Sequence, residues 1–274
     1  MTKSTKKGGA AAAVAAPAPT PGAFSSFLEE LSGITLFGLK FLREFWRPPY
    51  EFKQVIQQCY HIGYQSVGII SITGFIMGLV LTLQSQPTLK EFGAESMLPA
   101  MVSVSIVREI GPIIAALIFA GKVGSGIGAE LGSMKVTEQI DAMEVSATNP
   151  FHYLVVTRIL ATTLMLPILV FYTDAIALIG GYVGVNISQD VDYRLFISMC
   201  FDALEFSDVV PATIKTFFFG YAVGVIGCFK GYNTEDGTMG VGKSANSAVV
   251  VSMLSVFVLD MLAVQMQQIY FNNN

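Results

Sequence analysis

Two adjacent charges, Arg108 and Glu109, interrupt an otherwise apolar run. A charge at the centre of a membrane helix costs roughly 2.5–3.5 kcal/mol on insertion scales, so each needs a reason to be there. Neighbours on a helix point about 100° apart and cannot pair face to face. Each therefore needs another partner: a second helix, a second subunit, water or a lipid headgroup. The residues leave two readings open, a structural ion pair between helices or a polar lining of a lipid-accessible cavity. Asp174 and Asp260 are further acids inside apolar stretches. Proton relay is the default suspicion for such a group. No His or Lys is evident on a shared face, so structural polar contacts are the expectation for both.

A third feature imitates nucleotide chemistry. Gly237–Ser244 reads GTMGVGKS, a formal match to the phosphate-binding G-x-x-x-x-G-K-[ST] pattern, and VFVLD further on imitates a Walker B strand. The context argues against it. A phosphate-binding loop joins a buried strand to a helix. Here a polar loop, GYNTED, precedes the motif and an apolar helix-length run follows. Lys243 is expected at a membrane surface beside phospholipid headgroups instead. His61 and His152 stand alone near the ends of apolar runs, where interfacial positions are expected. Cys59, Cys200 and Cys228 are dispersed and form neither a disulfide framework nor a metal spacing. No catalytic residue, metal site or cofactor is expected in this chain.

These residues must be held by elements built for a bilayer. The 274-residue chain is 53% hydrophobic and only 13% charged, against about 25% charged in soluble domains. Its net charge of -4, without a basic stripe, argues against nucleic acid. About twenty apolar residues cross a membrane as a helix, and five segments qualify: 62–84, 98–121, 153–187, 209–229 and 248–270. The third is long enough that it must tilt, kink near Pro167 or project beyond the lipid. Residues 1–23 are low-complexity and read as a disordered cytoplasmic tail. Residues 24–47 place Phe24, Phe27, Leu28, Leu31, Ile34, Phe41, Leu42 and Phe45 at helical spacing among charges, as an interfacial amphipathic helix stopped by Pro48-Pro49. The expected fold is an all-α integral membrane protein. Lys and Arg in the tails and loops fall eleven to one side and two to the other. The positive-inside rule then puts the N-terminus, the 122–152 loop and the 230–247 loop in the cytoplasm, and the C-terminus outside. In the outer loop, Tyr193–Leu204 can form a short helix with an apolar face.

The loop after the second span carries a short acidic helix, expected over 137–148. Thr137 is the expected N-cap, and Glu138 suits the positive end of the helix dipole. Glu138 and Asp141 share a face, while Ile140, Met143 and Ala147 form an apolar one. So few turns are not stable alone, which implies packing against a partner. Gly124, Gly128 and Gly132 form overlapping small-xxx-small patterns that permit close helix packing.

The run REIGP, then FAGKVGSGIGAELGSMKVTEQIDAMEV, then NP, closely resembles the signature of the MlaE/YrbE-type permeases. These are membrane subunits of ABC lipid transporters that work with MCE proteins. LTLQSQPTLKEFGAE and GYN…GVGKSANSAVV extend the resemblance over residues 24–272. It implies a permease domain that pairs with a second permease subunit, as a homodimer or with a related chain. It implies a bacterial inner-membrane location and a role in moving phospholipid between that membrane and a periplasmic MCE ring, supporting outer-membrane lipid asymmetry. ATP and Mg would sit on a separate cytoplasmic ABC ATPase, and a small STAS-type subunit can join such complexes. By the same resemblance Glu138, Gln139, Asp141, Ala142 and Glu144 belong to the helix that couples to the ATPase. Glu109 lies by the substrate pocket, Arg108 is a structural or headgroup contact, and Leu81, Leu89 and Phe92 are apolar lining. The alternative function is an autonomous ion-coupled carrier using Glu109, Asp174 or Asp260.

Overall fold

The computed structural model describes residues 23–48, 51–187, 189–235 and 237–272; most of the low-complexity N-terminal tail lies outside them. Every regular element among these residues is helical. Five helices are long and apolar enough to cross a membrane: Phe52–Glu91, Glu95–Val136, Phe151–Asn186, Phe206–Tyr232 and Gly237–Ile269. All five expected spans are present, and each extends beyond its apolar core. The first begins ten residues before the expected start at 62, because nothing after Pro49 breaks the helix. The second continues past 121 to Val136, because the glycine-rich stretch stays helical where glycines pack against neighbours. The fifth starts at Gly237 rather than 248.

Helix α1 (Ala23–Phe45) precedes the first span, α2 (Phe52–Glu91). The second span is α3 (Leu98–Ser105), α4 (Gly111–Phe119) and α5 (Ser125–Val136), joined by wide π turns at Ile106–Ile110 and Ala120–Gly124. A short helix α6 (Gln139–Val145) follows. A third π turn, Phe151–Val156, opens the span completed by α7 (Thr157–Asn186). The bundle ends with α8 (Tyr193–Ala203), α9 (Phe206–Tyr232) and α10 (Gly237–Asn272). Asp192 caps α8, its Oδ2 accepting from Arg194 N at 3.1 Å.

Helix α7 is the axis of the bundle. It packs along α2 on one side and α9 on the other, and α9 packs on α5 and α10. Two-thirds of its most apolar window is buried (67%), against 17% for α10, which sits at the periphery. Lipid is as apolar as leucine, so close backbone packing must hold membrane helices together. The α2–α7 seam shows how. A Cβ on Gly78 would overlap the Ala177 carbonyl, and one on Gly180 would overlap that of Phe75. Only glycine fits at these two crossings. A second seam joins α5 to α9, where a Cβ on Gly231 would lie 2.9 Å from the Gly128 carbonyl.

Helix α1 departs from the single apolar face expected. Ile34, Phe37, Phe41 and Phe45 face the bundle, whereas Leu28, Leu31, Leu39 and Leu42 are exposed. Phe37 meets Phe151 edge-on at 5.1 Å and Phe229 at 5.6 Å, and Lys40 Nζ sits 4.1 Å above the Phe151 ring. Lys230 pairs with Glu30. The helix is thus apolar on both sides, one for the bundle and one for its surroundings.

Candidate functional site

The second span delivers Arg108 and Glu109 in its first π turn, and α9 answers both. Arg108 Nε donates to Asp208 Oδ1 at 3.0 Å. Glu109 Oε2 accepts from Lys215 Nζ at 2.7 Å, and the same ammonium donates to Asp260 Oδ1 of α10 at 3.0 Å. Asp208 and Lys215 are seven residues apart, two helical turns, so one face of α9 serves both charges. Lys215 (6% exposed) and Asp260 (13%) are enclosed, while Glu109 (32%) and Arg108 (45%) reach the surface. The five groups carry two positive and three negative formal charges. The π turn widens the helix locally, and such turns recur at functional sites.

Asp260 makes the structural polar contact expected of it, but the premise that no Lys accompanies it is corrected: Lys215, on a facing helix, is its partner. Of the two readings open for Arg108 and Glu109, interhelical ion pairing is the one the geometry displays, with Glu109 also partly accessible. Lys215 is hidden in the sequence because it lies inside an apolar span, outside the tails and loops whose charges set the orientation. Its signal was a lone lysine inside VVPATIKTFFFG. Arg158 is hidden for the same reason. It is buried in α7, donating to the Leu154 carbonyl and to Glu130 of α5 at 2.8 Å. Asp174 remains apart: it is buried with Oδ1 unbonded among the described residues, packed so closely on Gly111 that a Cβ there would strike it.

The other expected lining residues are elsewhere. Leu81 and Leu89 pack on a cluster of α3, α7 and α8 around Val102, Val185 and Phe196, and Phe92 is exposed. Neither leucine is in the hydrogen-bonded group around Lys215. Gly124, Gly128 and Gly132 face α9, α10 and the loop between them at close range: added Cβ atoms would lie 3.4 Å from Val223, 3.3 Å from Ala248 Cβ and 2.8 Å from Thr234 Oγ1.

At the other end of the bundle, α6 is shorter than the expected 137–148. Thr137 is not its N-cap; the Thr137 hydroxyl donates back to Ser133 O at 2.8 Å and finishes α5. Glu138 precedes the helix in the left-handed region, φ 60°, and Ala147 leaves it at φ 58°. These two reversals cut the segment to two turns. Ile140 is fully buried and Met143 packs on the core, but Ala147 is exposed rather than part of the apolar face. Glu138, Gln139, Asp141, Ala142 and Glu144 are all exposed, and Asp141 accepts from Lys135 at 2.8 Å. GTMGVGKS forms the first turns of α10, and Ser244 Oγ donates to Lys230 O at 2.6 Å. No strand precedes it among the described residues, so the setting of a phosphate-binding loop is missing.

The family model described as Permease MlaE matches residues 55–266. The chain belongs to the MlaE permease family. Its relatives include the "Intermembrane phospholipid transport system permease protein MlaE" of Haemophilus influenzae, 36% identical over 213 residues, covering 77% of this chain and 81% of that protein. A "Probable ABC transporter permease protein" of Rickettsia felis is 35% identical over 240 residues, 88% of this chain and 93% of its own length. One of the same description from Synechocystis is 35% identical over 206 residues, 75% and 78% of the two chains. This MlaE-family chain is therefore a multi-pass membrane protein and the permease subunit of an ABC transporter. The three middle spans, the Lys215 network and α6 lie within the matched region, and the first and fifth spans overrun it by three residues each.

Proposed function

We propose that this permease moves phospholipid between the inner membrane and a periplasmic MCE partner, driven by ATP hydrolysed on a separate cytoplasmic ATPase. The observation that carries the reading is Lys215 held between Glu109 and Asp260, where three spans meet. A buried charge cluster is costly in a bilayer and marks a polar path when it is kept. Glu109 is the member open to a substrate, so it offers the contact to a headgroup, and Arg108 offers a cation beside it. Charge there exceeds what helix packing needs, because the glycine seams already supply packing.

The exposed acids of α6 are the ATPase contact. The positive-inside rule puts that end in the cytoplasm and α8 on the periplasmic side, where its surface receives the MCE ring. Helix α1 lies in the membrane interface, and a second permease copy completes the lipid cavity. The Haemophilus relative, named for phospholipid transport, supports the lipid assignment. ATP closure of the motor would reach the spans through α6, which rests on the core by Ile140.

Reconstitution of the complex with its ATPase tests this. Fluorescent phospholipid transfer should depend on ATP and fall in Glu109→Gln. Transfer by the permease alone, without ATPase, would restore the ion-coupled carrier. Normal ATP-driven transfer and lipid co-purification in Glu109→Gln would remove Glu109 from the path.

A further inference from the structure

The π turn Ile106–Ile110 presents Arg108 and Glu109, but it leaves one carbonyl without a donor. The N–H of Gly111 bonds to Ile106 O across the widened turn. At α spacing that N–H would have served Val107 O. At π spacing the donor would come from residue 112, which is a proline and has no N–H. The Val107 carbonyl therefore has no helical donor at either spacing. Val107 is buried (8% exposed), and buried carbonyls are normally paired. Helix carbonyls point toward the C-terminal end, so this one points to the level of Gly111 and Pro112.

Asp174 of α7 sits at that level. Its Oδ1 fills the place a Cβ on Gly111 would take and is sealed there, while Ile106 O lies 3.0 Å from the same point. The other oxygen, Oδ2, is not sealed and makes no hydrogen bond among the described residues. The charges nearby are already engaged, Arg108 with Asp208 and Lys215 with Glu109 and Asp260. A small cavity joins the two groups. Val107 and Asp174 both line it, with Val170, Ala212, Thr213 and Thr216. The centre of a water-sized sphere can move through about 10 Å³ of it, which is room for a single water. Thr213 spends its hydroxyl proton on Val209 O at 2.8 Å, and Thr216 spends its own on Thr213 O at 2.7 Å. Every polar side chain at the cavity is therefore an acceptor. An anion would be repelled and a lipid headgroup is too large. Water fits, because it gives two hydrogens where two acceptors need them.

We infer that Asp174 is a positioning residue of the proposed lipid site, holding the Val107 carbonyl through one bound water and so fixing the turn that presents Arg108 and Glu109. The inference rests on the transport reading of those two side chains. Helix α9 grips the turn by its charges, through Asp208 and Lys215. Helix α7 grips its backbone, through Asp174. Glycine at 111 lets the carboxyl come close enough to do so.

Three variants of the complex test it, each scored for ATP-driven phospholipid transfer and for thermal midpoint. Asp174→Val removes both oxygens without reaching Gly111, and should lower transfer about tenfold while the ATPase still co-purifies. Asp174→Asn keeps the shape and one acceptor oxygen, and should stay close to the parent. Pro112→Ala restores an N–H where π spacing serves Val107 O. The double variant Asp174→Val, Pro112→Ala should therefore regain most of the lost transfer. A packing defect on α7 would not respond to an N–H placed on another helix. Asp174→Val at the parent level overturns the inference, as does a double variant without recovery or an Asp174→Asn as poor as Asp174→Val. Where Asp174→Val does not assemble, folded yield replaces transfer and the same recovery is required. Glu109→Gln is measured alongside. Normal transfer there removes the transport reading of Glu109, and the Asp174 series is then scored on thermal midpoint alone.

Discussion

Removing the Lys215 ammonium tests the energetics of the network most sharply. Lys215→Met keeps much of the side-chain volume but leaves Glu109 and Asp260 facing each other. Their oxygens lie 2.7 and 3.0 Å from one Nζ, so at most 5.7 Å separates them. Two unit charges at that distance repel by about 3 kcal/mol at an effective dielectric of 20. Breaking a buried pair from one side costs about 3–5 kcal/mol; the exposure of Glu109 favours the lower figure. About 3 kcal/mol converts to a fall of roughly 6–12 °C in thermal midpoint for a chain of this size. The double variant Lys215→Met, Asp260→Asn should recover most of that loss, because Glu109 alone can turn to water. Thermal unfolding of the purified complex, followed by intrinsic fluorescence, gives both values. A single variant within 2 °C of the parent (about 1 kcal/mol or less) would falsify the idea that the three groups form one electrostatic unit. A double variant no better than the single would show that Lys215 acts through packing.

Other expectations follow from the same contacts. Gly78→Ala should push α2 from α7 and lower folded yield, by about 1–3 kcal/mol or more of overpacking; Gly126→Ala, with open space at its Cβ, should be neutral or gain up to about 1 kcal/mol of helix propensity. Size-exclusion yield in detergent separates the two. Reversing charge in Glu138→Lys, Asp141→Lys should leave the thermal midpoint nearly unchanged, since both side chains are exposed and the Lys135 pair is worth about 0–1 kcal/mol, while abolishing co-purification of the ATPase. Lys243→Ala should retain ATP-driven transport, and equilibrium dialysis of the purified permease with labelled ATP should detect no binding; saturable binding would reinstate GTMGVGKS as a nucleotide site.

The parts of this molecule governed by local pattern were readable from sequence. Five apolar runs gave five spans, and the isolated charges at 108 and 109 pointed at partners on other helices. Their identity was not readable, because it depends on how α9 is rotated against the second span. Lys215 looked like one polar residue in an apolar run until packing set it between two carboxylates. The ends of α6 depart from the sequence pattern because its limits come from left-handed residues, and neither Glu138 nor Ala147 announces that geometry. The resemblance assigns Leu81 and Leu89 to the lining, whereas within this one chain they join a different cluster. Glycine spacing marks α5, and the same small-xxx-small spacing at Gly74/Gly78 and Gly180/Gly184 marks the tighter α2–α7 seam, although which helices meet there is set only by packing.

The π turn at Ile106–Ile110 has a consequence for the chain's register. A π turn holds one residue more than the α turn it replaces, so deleting a single residue there could regularise the helix without breaking it. Everything on one side would then rotate by about 100° relative to the other. Arg108 and Glu109 could no longer meet Asp208 and Lys215 while the α5 glycines stayed on α9. The extra residue works as a phase adjuster. It lets one half of a span be keyed to its neighbours by shape and the other half by charge, each in its own angular register.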